Sequence, residues 1–152
     1  MTENSKKIEP DTVRLLRECD AGARMGFDSI SDVIGRAENR QLYGTLDACR
    51  GEHERLSREI RAALDSFGDE GKEPPMTAKS MSWIKTQAEM AFSKKDPDSA
   101  IADLMTDGCN MGVKSLSRYL NQYNAADERS KDIAKRLVGC EEKLARDVRG
   151  FL

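Results

Sequence analysis

Between residues 42 and 67 the apolar residues recur in alternating steps of four and three: Leu42, Leu46, Cys49, His53, Leu56, Ile60, Ala63 and Phe67. A strand repeats every second residue, so this spacing predicts an amphipathic helix with one stripe turned toward partner helices. Arg50, Glu54, Arg58, Arg61 and Asp65 fall off that stripe, toward solvent. The stripe also holds the only histidine of the chain, His53. An imidazole in such a position needs hydrogen-bond partners, because buried polar groups are almost always satisfied.

The same periodicity returns on both sides. Pro10 and Asp11 suit the first turn of a helix, which sets residues 1–9 apart as a flexible leader and 10–152 as a single domain. This first helix is expected to reach Ile34 or Arg36 on a seam of Val13, Leu16, Asp20, Ala23, Phe27, Ile30 and Ile34. Gly22 and Gly26 weaken it by up to ~1 kcal/mol each relative to alanine, while opening it to close packing. Gly68 marks the end of the second helix, and GDEGKEPPMT (68–77) reads as a linker. Thr77 can cap a short helix running to Phe92, with Trp83 on its margin. Asp96-Pro97 opens a third long helix to about Tyr123, with Ile101, Met105, Gly108, Gly112, Ser115 and Tyr119 on its seam. After a turn at Asn124, the last helix uses Ile133, Leu137, Cys140, Leu144 and Val148. Four long helices, two tight turns and one long connection make an all-α fold. The expected architecture is a ferritin-like four-helix bundle with a crossover containing a short extra helix. The alternative is an up-down-up-down bundle with a decorated loop.

Composition narrows the function classes. Charged residues form 34% of the chain, but the net charge is only −2 with both signs interspersed, so no basic stripe exists to track nucleic acid. No apolar run approaches the ~20 residues of a membrane span. Met1 to Pro10 lacks the apolar region of a secretory signal, which points to the cytoplasm, where the four cysteines are expected to be reduced.

The stretch TAKSMSWIKTQAEMAFSKKDPDSAIADLMTDGCNMGVKSLSRYL (77–120) carries Trp83 with Lys85, the Lys95-Asp96 break and Gly108, and FGDEG closes the preceding helix. In these features the chain resembles an uncharacterised bacterial ferritin-like family, a domain of unknown function. That resemblance implies the fold and little about activity.

A ferritin-like di-iron centre takes a Glu from each of two helices and a Glu-x-x-His from each of the other two. Arg50 stands three residues before His53, and the last helix has no histidine, so di-iron chemistry and ferroxidase activity are not expected. With the first turn centred near residue 38, Asp20 and His53 lie about 4.5 Å apart along the axis, within reach of a buried acid–imidazole pair. Each long helix carries one cysteine, and Cys49, Cys109 and Cys140 come to a similar level. The plain reading of these cysteines is packing, since a free thiol behaves as a small hydrophobe. Joined by His53, they are also candidate ligands for zinc or a redox-active thiol group. Leu15, Tyr43, Leu120 and Val138 fall off the main seams and leave room for a homodimer patch. Two functions follow. The first is a non-catalytic bundle without a cofactor, acting by self-association or by binding an unidentified protein partner. The second is a zinc-binding or thiol-redox protein using Cys49, His53, Cys109 and Cys140.

Overall fold

The computed structural model describes residues 3–69 and 78–152. Most of the linker expected over 68–77, the Thr77 cap and the Trp83 side chain lie outside the described residues. Among those described, the chain is all-helical, with no strand: α1 (Glu3–Val33), α2 (Arg40–Asp65), α3 (Ala78–Lys94), α4 (Pro97–Gln122) and α5 (Glu128–Val148), with 3-10 turns at Ile34–Arg36 and Arg149–Phe151. No helix among them is long and apolar enough to cross a membrane.

Local signals set most boundaries. The Asn39 side chain caps α2 by accepting from the backbone N–H groups of Gln41 and Leu42 at 2.8 and 3.1 Å. At its other end, Gly68 takes φ +69, and Asp69 N–H donates back to the Leu64 carbonyl at 3.0 Å. A left-handed residue with a bond of that span is the closing motif glycine permits. Asp96 caps α4 through Ser99 N–H, with Pro97 at the first helical position. The start of α1 differs from expectation. Residues 3–9 continue the helix, and Pro10 stands inside it.

Hydrogen bonds between distant segments fix the helix directions. The backbone N–H groups of Glu38 and Asn39 donate to the Asp98 carboxylate at 2.8 and 3.1 Å, so α4 begins against the α1–α2 turn. At the opposite end, Ala125 N–H donates to Asp11 and Asp127 N–H to Thr12 Oγ1, while Arg17 pairs with Asp69. Thus α1 and α5 run one way, α2 and α4 the other. Helix α2 ends near the start of α1, whereas α4 begins at the far end of α1. The helices pack as α1 on α2, α4 on α5, α2 on α5 and α1 on α4, with α3 laid on α4.

Two apolar clusters fill the interior. One, toward the start of α1, contains Leu15, Leu16, Leu56, Ile60, Leu64, Leu116, Ile133 and Leu137. The other contains Ile30, Leu42, Leu46, Ile101, Met105, Leu144 and Val148. Every position of the α2 stripe from Leu42 to Ala63 is buried, and Phe67, beyond the helix end, is about one-third exposed, at 37%. On α4 the buried line runs Met105, Cys109, Leu116, with Gly108 and Ser115 exposed. Ile101 and Met105 of the expected seam are buried and Gly112 faces Glu141, so the departure is confined to Gly108 and Ser115, whose places Cys109 and Leu116 take. Turning Cys109 and Leu116 inward buries apolar atoms that glycine and serine do not have. Leu15, expected off the seam, is fully buried in the core.

Candidate metal centre

His53 is received by bare backbone. A Cβ placed on Gly26 of α1 would lie 2.4 Å from both Cδ2 and Nε2 of the imidazole, so the ring occupies space that only glycine leaves open. On the other side, Gly112 of α4 leaves room for Glu141 of α5, whose Oε2 lies 3.3 Å from where a Cβ would stand. Two helices thus give up side chains where two others contribute polar ones.

The ring is held at both nitrogens. Nε2–H donates to Glu141 Oε1 at 2.5 Å, and Nδ1–H donates to the Cys49 carbonyl, one turn earlier on α2, at 2.8 Å. A carbonyl and a carboxylate only accept, so both nitrogens carry protons in this arrangement and the ring is an imidazolium. Burial alone would lower its pKa. Hydrogen bonding to Cys140 and Glu141, with their negative charge, overcomes that and raises it to about 10.

Two sulfurs face Nδ1. Cys49 Sγ lies 3.6 Å from it and Cys140 Sγ 3.7 Å, while the two sulfurs are 3.5 Å apart. The hydrogen bond between the thiols, together with burial, pushes Cys49 up. The same bond and the adjacent imidazolium hold Cys140 below the ordinary thiol range.

These three groups fit one ion. A tetrahedral ion with Zn–S near 2.3 Å and Zn–N near 2.0 Å holds its ligand atoms ~3.8 Å apart for S to S and ~3.5 Å for S to N. The observed triangle of 3.5, 3.6 and 3.7 Å lies within a few tenths of an ångström of that. Among the described residues, Cys49, His53 and Cys140 are the group whose ligand atoms converge in this way. Glu141 holds the far nitrogen, the position from which a carboxylate can orient a histidine that binds a metal.

The other expected site residues fall elsewhere. Cys109 is buried beside Glu141, and burial first, then the Glu141 charge, pushes its thiol up. It stands outside the converging group. Cys19 is buried deeper in the core, where burial raises its thiol to about 12. Asp20 accepts no hydrogen bond from His53. Its buried carboxylate lies 3.2 Å from Arg24 and 3.9 Å from Arg61. The cause is register. With the 3-10 turn and the extended residues before Asn39, the ring of His53 comes level with Gly26, six residues beyond Asp20, or about 9 Å along the helix. Glu141 takes the role expected of Asp20. The sequence does carry its signal: Ile133, Leu137, Glu141, Leu144 and Val148 step by four, four, three and four, so a glutamate stands in an apolar stripe.

No known protein family matches the chain from its sequence, and no curated protein matches it. Among solved structures, it is similar to the crystal structure of a DUF305 fragment from Deinococcus radiodurans, with a TM-score of 0.69 and 14% identity over 93% of this chain and 94% of that one. At that identity the likeness is one of fold.

Proposed function

We propose that this chain is a metal-binding helical bundle in which Cys49, Cys140 and Nδ1 of His53 hold one zinc-like ion and Glu141 orients the imidazole. The single observation that carries this reading is the triangle of two sulfurs and one nitrogen, 3.5 to 3.7 Å on a side. Ligands of this softness suit zinc better than magnesium or calcium, which take oxygen. Loading removes the proton that Nδ1 now donates to the Cys49 carbonyl, and Glu141 keeps the other proton on Nε2. Three protein ligands leave a fourth position for water or an exogenous donor, with Cys109 the nearby thiol that does not converge.

We further take the frame to be a single-domain, ferritin-like four-helix bundle with α3 in its crossover. The start of α4 beside the α1–α2 turn, and the pairing of α2 with α5, support that topology over a simple up-down-up-down order. Of the residues expected to leave room for a homodimer patch, Leu15 is taken into the core, Leu120 and Val138 pack partly against it, and Tyr43 is exposed.

The test is metal content. Protein prepared without affinity-tag nickel, stripped and reduced, should take up one zinc per chain. Cys140→Ser, Cys49→Ser and His53→Ala should each lose that uptake, whereas Cys19→Ser should keep it. Equal uptake by Cys140→Ser and the unchanged protein would rule the site out.

A further inference from the structure

The two sulfurs of the site are in contact with each other as well as with the imidazole. Their 3.5 Å separation needs to close by only about 1.5 Å to reach the ~2.05 Å of a disulfide bond. They come from different helices, α2 and α5, so the bond would tie two elements that pack side by side. They also differ in access. Cys140 is half-buried, while Cys49 is 8% exposed. An oxidant arriving from solvent therefore meets Cys140 first, and Cys49 stands behind it, placed to resolve the product. Among the described residues, no other pair of cysteine sulfurs makes such a contact.

We infer that Cys140 and Cys49 form a reversible disulfide on reaction with a hydroperoxide, so that one pair of sulfurs either holds the metal or carries the oxidation. The Cys140 sulfur attacks the outer oxygen of the hydroperoxide and gives up its thiol proton. The O–O bond breaks, and the departing alkoxide takes up that proton, directly or through water, to leave as an alcohol. Cys140 is left as a sulfenic acid. The Cys49 sulfur then attacks the Cys140 sulfur, and the hydroxyl leaves with the Cys49 proton as water. In sum, two thiols and one hydroperoxide give one disulfide, one alcohol and one water. A small dithiol returns two electrons and two protons by exchange and restores both thiols. A disulfide sulfur offers no thiolate, so oxidation removes two of the three proposed ligands. This last consequence rests on the metal reading, while the disulfide itself does not.

The experiment treats the reduced, metal-free chain with tert-butyl hydroperoxide, counts the remaining thiols, maps links by peptide mass and then measures zinc uptake. The expected result is loss of two of the four thiols, a Cys49–Cys140 link and no zinc uptake, all reversed by dithiothreitol. Cys49→Ser should instead accumulate a Cys140 sulfenic acid that dimedone captures. If the link forms but the reduced chain takes up no zinc, the metal reading fails and the disulfide stands. If zinc binds and the hydroperoxide yields no link, or joins Cys140 to Cys109, this inference is overturned and the metal reading stands.

Discussion

The imidazole of His53 lies where the side chain of residue 26 would begin: a Cβ on Gly26 would stand 2.4 Å from Cδ2 and Nε2 of the ring. Glycine costs an exposed helix about 1 kcal/mol relative to alanine, yet here the missing methyl is what admits the histidine. Gly22, one turn earlier, has no such role. A Cβ there would make ordinary contact with Leu137 and Leu116 at 3.8 and 4.0 Å.

Two substitutions on α1 should therefore differ in sign. Gly26→Ala should destabilise the protein by about 1–3 kcal/mol and displace the ring, as overpacking does. Gly22→Ala should be neutral or stabilise by up to ~1 kcal/mol. Urea unfolding of both variants checks this. Equal effects would mean that the ring does not rest on residue 26.

Coupling between polar residues follows the observed partners. His53→Ala and Glu141→Ala should be non-additive in a double-mutant cycle, with an interaction of about 0.5–3 kcal/mol. Asp20→Asn and His53→Ala should add, since Asp20 faces Arg24 and Arg61 at a different level. A cycle with the opposite outcome would restore the Asp20–His53 pair.

Glu141→Gln keeps the shape of the side chain and removes its charge. With only a neutral acceptor behind the imidazole, zinc affinity should fall by roughly 10–100-fold, the usual cost of losing an orienting partner. Competition with a chelating dye measures it. Unchanged affinity would detach Glu141 from the site.

One prediction concerns pH. Arg136 forms a two-pronged hydrogen bond with Glu59 between α2 and α5, at 2.9 and 2.5 Å, and that bond holds the Glu59 carboxyl below its ordinary value. A depressed folded pKa contributes stability that is present above the unfolded value and lost as pH falls through the folded one. Glu59→Gln should thus cost up to ~1 kcal/mol at neutral pH, the ceiling for an exposed pair. The difference should vanish below the carboxylate range. Urea unfolding at both pH values tests the sign.

Much of this was legible in the sequence, and the remainder was hidden for physical reasons. The α2 stripe was readable because every position from Leu42 to Ala63 is apolar or His53, so phase and burial agree. On α4 the expected seam agrees at Ile101, Met105 and Gly112 and departs at Gly108 and Ser115, which have little or no apolar side chain to report which face is inward. The His53 partner was misassigned because register depends on turn length, and the 3-10 turn shifts α2 relative to α1 by several residues. Glu141 stood in its stripe throughout, but Cys140 beside it fits the periodicity equally well, and the more apolar neighbour drew the assignment. The meeting of Cys49 with Cys140 is a contact between helices, and levels read from turn centres bring sulfurs to one height without saying which of them touch.

X-ray absorption at the zinc edge of the reduced, zinc-loaded protein tests the proposed centre most directly. The predicted shell has two sulfurs near 2.3 Å and one imidazole nitrogen near 2.0 Å, with one further light atom. A six-coordinate shell of oxygen and nitrogen alone, or a shell of three sulfurs drawing in Cys109, would contradict a centre built from Cys49, His53 and Cys140.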